Sequence, residues 1–342
     1  MNIIVTWMYS SPKSESILHS QMGKRSGTQK NQNYYWRCVF LLFESSSRLN
    51  PASRHVLFIN KKPPNKIDGI DINRLIQQYN IELVEFPKIT KSPPDYYGAW
   101  NTQFIVLDVL DWLTENVKAS DNIFVLDSDI IFNKPINDDL LIDLRTHKAL
   151  LYSIDYAINH NINGLTRLEL LELSKEMDSG FSEREFVYSG GEYICCLGSE
   201  ISKIACLGRE VFLVCLERHQ AGRAKFNEEA HLLSYVYHSL GYPTHKANKF
   251  IKRIWTNRAI FSNIDGSEHD LIFWHLPAEK RTGFVKVFRS FREKEGEYNL
   301  TINNFGQAYR IEETFLSRIV RCVELIARYI YRNLRGITRC FS

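Results

Sequence analysis

The run Ile123-Phe124-Val125-Leu126-Asp127-Ser128-Asp129-Ile130-Ile131-Phe132 constrains this chain more than any other stretch. An apolar segment of strand length ends in two carboxylates, and apolar residues resume at once. Burying two such charges against a strand is expensive unless another charge compensates them. A divalent cation at the strand's C-terminal end would do so, because oxygen-rich sites suit Mg2+ or Mn2+. Open α/β sheets bind ligands at that edge. The run therefore predicts a metal-dependent site for a phosphorylated ligand.

The rest of the chain supplies a sheet to carry it. Residues 2–7 read as a strand, and the Ser-, Lys-, Gln- and Gly-rich stretch 9–33 as a loop. Residues 34–49 have helical character, ended by Asn50-Pro51. A strand at 55–59, a helix at 72–79 and a strand at 81–86 follow. Phe104, Leu107, Leu110 and Leu113 recur near the helical period and predict a helix over 97–117. This βαβα succession predicts an α/β fold with a mostly parallel central sheet flanked by helices. Further on, strands are expected at 149–154, 193–197 and 270–275. The segment 159–185 is polar with one short helical patch. Helices are expected at 199–219, with Ser199 as N-cap, and at 227–240, closed by Gly241 and Pro243.

Composition narrows the class. The 342 residues can bury a substantial core in one large domain or two smaller ones. Hydrophobic residues at 44% and charged residues at 24% fit an ordinary globular protein. No apolar run reaches membrane-spanning length, and Met1 to Val5 lack the layout of a signal peptide. The seven cysteines have no CxxC spacing, which argues against a zinc knuckle or a disulfide framework. Reduced thiols in a cytoplasmic setting are expected. Seven arginines and three glutamates lie from Arg310 onward, so this tail carries the whole formal charge of +4. The other 36 basic and 36 acidic groups cancel, and nucleic acid is not an expected partner. Leu316, Ile319, Val323, Ile326 and Ile330 form one apolar stripe among the arginines. Residues 310–342 are thus expected to form a basic amphipathic helix that attaches the protein to an anionic membrane surface. The same spacing also suits a helix packed on the body or in a dimer seam.

Taken in order, several segments resemble the nucleotide-sugar-dependent glycosyltransferases of the GT-A fold, of the glycogenin-like and bacterial lipopolysaccharide or capsule type. The carrying residues are Asp127-Ser128-Asp129 after an apolar strand, preceded by Tyr97-Gly98-Ala99-Trp100-Asn101. Gly190-Gly191, Asn227-Glu228-Glu229 and Phe273-Trp274-His275 come downstream. The resemblance covers residues 1 to about 283 and implies a GT-A catalytic domain over 1–290. It implies a metal-dependent transferase moving a sugar from a UDP-linked donor to a saccharide or lipid-linked acceptor in surface glycan synthesis. Asp129 is implied as a direct ligand of Mn2+ or Mg2+, Asp127 as a ligand of the metal or the ribose, and His275 as a third ligand. The relatives place a glycine soon after that histidine, whereas Leu276-Pro277-Ala278 stands here. Glu229, or Glu228 one residue earlier, is implied beneath the acceptor or reacting sugar carbon, with inverting and retaining routes both open. Thr6, Trp7, Asn101, Ser128 and Lys280 are implied at the donor nucleotide, and Gly190, Gly191 and Glu192 at the sugar and acceptor pocket.

Each of these residues also has a plain structural reading. Paired aspartates cap turns, a lone histidine on an apolar strand is commonly a hydrogen-bonded core residue, and glutamates at a helix start complement its dipole. Two other function classes stay open. A nucleotidyltransferase forming nucleotide sugars would want a glycine-rich basic loop near the N-terminus, and Met22-Gly23-Lys24-Arg25-Ser26-Gly27 faintly resembles one. A saccharide-binding or scaffold protein would use the same fold without turnover. A phosphatase with a nucleophilic aspartate is disfavoured, since its motif belongs on the first strand.

Overall fold

The computed structural model describes residues 1–12, 18–19, 24–25, 27–98, 101–258, 260–313, 319 and 322–323. In chain order the main elements are β1 (Asn2–Met8), α1 (Gln29–Leu49), β2 (Arg54–Ile59), α2 (Ile72–Gln78), β3 (Ile81–Glu85) and α3 (Val106–Asn116). Next come β4 (Asn122–Leu126), β5 (Ile130–Phe132), α4 (Asp138–His147), β6 (Ala149–Leu150), α5 (Arg167–Met177) and β7 (Tyr193–Leu197). The series ends with α6 (Gly198–Gln220), α7 (Glu229–Ser239), β8 (Ile251–Arg253), β9 (Phe273–His275), α8 (Gly283–Phe288), β10 (Phe291–Lys294) and β11 (Glu297–Leu300).

The central sheet runs β6-β7-β4-β1-β2-β3. β3, β2, β1 and β4 are mutually parallel, whereas β7 and β6 run antiparallel to their neighbours. The expected mostly parallel α/β sheet is present. Alternation along β1 and β4 decides the layers. Ile3, Val5, Ile123 and Val125 face α3, α6 and α7 through Leu107, Leu110, Ile204 and Val236. Ile4, Phe124 and Leu126 face a second sheet of order β8-β9-β5 through Phe132, Ile251 and Phe273. On the same side, Trp36, Phe40 and Phe43 of α1 pack over Leu57 and Ile59.

Several local expectations need correction. The apolar stretches on either side of Asp127–Asp129 are strands, as expected, but they belong to two different sheets. The helix expected over 97–117 begins only at Val106, after a 3-10 turn at Gln103–Ile105, and Gly98, with a left-handed φ of +55°, lies outside it. Ser199 lies inside α6, where its hydroxyl donates to Glu200, and Leu197 holds the N-cap position. α1 starts earlier than its apolar stripe, since the Thr28 side chain accepts the Asn31 N–H. α4 was hidden by its charged composition, although Asn137 caps it by accepting from Leu140. The packed body continues past residue 290 through the β10–β11 hairpin, and Tyr309 and Ile311 are still buried in the core. The amphipathic tail expected over 310–342 falls, beyond residue 313, almost wholly outside the described residues.

The backbone approach at the entry to α6 is the tightest among the described glycines. Gly198 donates its N–H to the Asp121 carbonyl, and a Cβ there would lie 2.0 Å from the Lys118 carbonyl oxygen. Gly198→Ala is expected to lower stability by about 1–3 kcal/mol through forced backbone displacement. Urea unfolding measures this, and an unchanged midpoint would refute the close packing.

Candidate metal centre and cleft

Order reverses in the parallel part of the sheet between β1 and β4, and their C-terminal ends diverge there. Such a switch point opens a crevice suited to ligands. Val5 pairs with Val125, so the end of β1 stands beside the turn that carries the carboxylates. A cleft of about 590 Å3 occupies this place, with Trp7, Asp127, Asp129, Tyr156, Asn163 and Glu228 among its lining residues. That volume suits a small-molecule ligand, for which roughly 300–1,000 Å3 is usual.

Two sheets meet at the cleft floor. Asp127 ends the β4 side, with its N–H donating to the Glu192 carbonyl at 2.9 Å. Asp129 begins the β5 side, and its carbonyl accepts from Leu276 at 3.0 Å, just beyond β9. Because β9 pairs with β5 in the register His275↔Ile130, the histidine arrives beside Asp129. Asp127, Asp129 and His275 each offer a ligand atom, all within 4.8 Å of one another. Two carboxylate oxygens and an imidazole nitrogen could hold a metal ion.

The carboxylates at this floor are charged to different extents, according to the cations that touch them. Asp129 is buried, and its Oδ2 meets Lys280 Nζ at 2.5 Å and His275 Nε2 at 3.2 Å. Burial would raise its pKa, but Lys280 and His275 outweigh that and hold it well below the usual carboxylate range. Asp127, half-buried, is pushed up to about 6 by burial and by Asp129. Burial would lower His275, yet Asp129 and Glu192 raise it to about 9. Glu192 accepts from His275 Nδ1 at 3.1 Å and from Arg253 at 2.6 and 2.7 Å.

Glu228 sits at the N-cap position of α7 and Glu229 in its first turn, and both line the cleft. The Glu228 carboxylate accepts from Tyr188 Oη at 2.8 Å and from Asn163 Nδ2, and His231 Nε2 lies 3.3 Å away. Glu229 Oε2 is buried without a hydrogen-bond partner. Burial followed by the Glu228 charge raises Glu229 well above the ordinary glutamate value.

Of the residues expected at the donor, Trp7, Ser128 and Lys280 line the cleft. Thr6 does not, since strand alternation turns it away from the Trp7 face and buries it completely. Asn101 lies in a turn outside the cleft, where its carbonyl accepts from the Ser92 N–H. Gly191 lines the cleft, and a Cβ there would lie 3.2 Å from Glu229 Oε1. Gly190 serves a different purpose: a Cβ would come within 2.3 Å of Glu192 Oε2, so this glycine makes room for that carboxylate. Glu192 itself reaches the cleft wall but is committed to Arg253 and His275.

Sequence reasoning missed Arg253, Tyr35 and the Tyr156–His160 pair. Tyr35 lies 5.9 Å below Lys280 Nζ, and the Tyr156 and His160 rings stack at 4.7 Å with 9° between their planes. Arg253 stands in the register Arg253↔His275 on β8, a three-residue strand without a clear hydrophobic period. None of these carries a local signal, because only the tertiary fold brings them to the site.

His275 makes stability depend on pH. Its proton is held more tightly when folded, so its contribution is complete below the unfolded value near 6.5 and is lost as pH rises through about 9. With a chelator present, the wild-type protein is expected to lose about 3 kcal/mol more than His275→Gln between pH 6.5 and 9.5. Urea titrations at both pH values measure the difference, and equal losses would remove the His275–Asp129 pair from the account.

No protein-family model matches the chain, and no curated protein matches it in sequence.

Proposed function

We propose that this protein is a GT-A-type, metal-dependent glycosyltransferase that moves a sugar from a UDP-linked donor to a saccharide or lipid-linked acceptor. The observation that carries the reading is the Asp127, Asp129 and His275 group at the switch point of the sheet, on the floor of a cleft of nucleotide-sugar size. The three side chains would hold Mn2+ in preference to Mg2+, since an imidazole nitrogen joins the carboxylates. The bound cation would stabilise the negative charge that develops on the departing nucleoside diphosphate. Lys280 adds a cation at the same end, and Trp7 offers a flat apolar surface to the base. Glu228 and Glu229 line the same cleft, and the acceptor is assigned to them. Once ionised, either carboxyl could take the proton of the attacking hydroxyl. Free thiols at every described cysteine support work in a reducing compartment. Among the described residues no helix is long and apolar enough to cross a membrane.

Release of UDP from a panel of UDP-sugars, with and without Mn2+, tests the activity. Asp129→Asn is expected to reduce metal-dependent turnover roughly 100-fold or more, because several kcal/mol of charge stabilisation is removed. Turnover that instead requires pyrophosphate would favour a nucleotidyltransferase. Absence of metal-dependent nucleotide binding would favour a non-enzymatic saccharide-binding or scaffold protein.

The basic tail is proposed to hold the enzyme on the cytoplasmic face of an anionic membrane. A chain truncated after residue 313 keeps the packed body, including Ile311. It is expected to retain donor hydrolysis while failing to sediment with phosphatidylserine vesicles. Sedimentation equal to that of the full chain would overturn the attachment.

A further inference from the structure

We propose that Glu192, clamped by Arg253, is the positioning residue of the cation site and that it sets the preference for a transition metal over Mg2+ by fixing the His275 imidazole. The inference rests on the metal site of the proposed function. It starts from an expense: the Glu192 charge is almost fully buried, and a buried carboxylate must be repaid by close partners.

Those partners come from both sheets. Glu192 immediately precedes β7, and its carbonyl accepts the Asp127 N–H, so its backbone belongs to the first sheet. Its carboxylate crosses to the second sheet. Oε1 accepts from Arg253 Nε at 2.7 Å and from His275 Nδ1 at 3.1 Å, and Oε2 accepts from Arg253 Nη2 at 2.6 Å. Arg253 and His275 are register partners on β8 and β9, which places both donors side by side. Arg253 is itself fixed, with Nη1 donating to Tyr156 Oη at 3.2 Å and its N–H to Tyr152 Oη at 2.9 Å. Gly190 leaves the space that the carboxylate fills.

Glu192 stands behind the ligand group, and its bidentate pairing with Arg253 keeps it there. Its contact with Nδ1 leaves His275 Nε2 as the ring nitrogen that faces Asp129. A partner on the second imidazole nitrogen fixes ring orientation and tautomer at metal sites, and losing it typically weakens metal binding by roughly 10–100-fold. Imidazole nitrogen favours Mn2+ over Mg2+, whereas the two carboxylates serve both. Fixing the imidazole therefore favours Mn2+ selectively.

The test is calorimetric titration of the full-length protein with MnCl2 and, separately, MgCl2. Glu192→Gln cannot accept from both Arg253 and His275 through two oxygens. It is expected to lose roughly 10–100-fold in Mn2+ affinity while Mg2+ affinity changes less than about threefold. Glu192→Asp keeps the charge opposite Arg253 but is one methylene shorter, and it is expected to show the same selective loss. This second variant carries the test if the glutamine variant does not fold. Combining Glu192→Gln with His275→Ala should cost no more Mn2+ affinity than His275→Ala alone, since the effect acts through that ring. Mn2+ affinity within threefold of wild type, or equal loss for both cations, would overturn the positioning role. Wild-type protein that binds neither cation would overturn the metal site itself, and with it the proposed function.

Discussion

A single carboxylate oxygen, Asp129 Oδ2, takes Lys280 and His275 at once, and the surrounding architecture exists in a form that permits it. Charges in a buried setting attract far more strongly than in water, but they repay desolvation only when the geometry is close and the remaining atoms are satisfied. Here the geometry comes from backbone register. The pairing of β5 with β9 delivers His275, and the hydrogen bond from Leu276 to the Asp129 carbonyl starts the loop that returns Lys280. The site is a joint between two sheets, and neither sheet alone contains it.

The cleft balances charge in two different ways. Glu192 and Asp129 remain ionised because cations touch them, Arg253 and His275 for the first, Lys280 and His275 for the second. Glu229 has no such partner and is driven toward its neutral form, while Asp127 is raised to about 6. A diphosphate would meet this acidic surface unfavourably, which is why an oxygen-liganded cation belongs in the proposed chemistry. Glu228 is intermediate: burial raises it, while hydrogen bonds from Tyr188 and Asn163 oppose the rise.

The sequence made the sheet legible wherever hydrophobic alternation and helical period were strong, as in β1, β2, β4 and α6. The two aspartates were legible because charge interrupting an apolar run is rare and costly. His275 was legible only by resemblance, and its neighbour Arg253 not at all, since register between short strands separated by about twenty residues leaves no local pattern. Thr6 shows the converse error. Its position near a strand end suggested ligand contact, but the two-residue period of the strand turns it into the core while Trp7 faces the cleft. Asn101 stands in a turn ahead of the helix expected to carry it, which starts at Val106.

The placement of Lys280 has its own support, one residue earlier in the chain. Glu279 is completely buried and accepts from Thr256, from Thr282 at 2.7 Å, from the Gly283 N–H at 2.9 Å and from Arg310 at 2.6 Å. These partners come from a hairpin beside the cleft, from the start of α8 and from Arg310, the first of the seven C-terminal arginines. The close approach of Gly283 to Tyr309 keeps that junction compact, since a Cβ there would lie 2.7 Å from the tyrosine ring. Lys280 therefore reaches Asp129 from a backbone pinned on its N-terminal side by a buried carboxylate. Arg310 and the cation facing Asp129 are thus linked through the sequence neighbours Glu279 and Lys280, although they lie thirty residues apart in sequence.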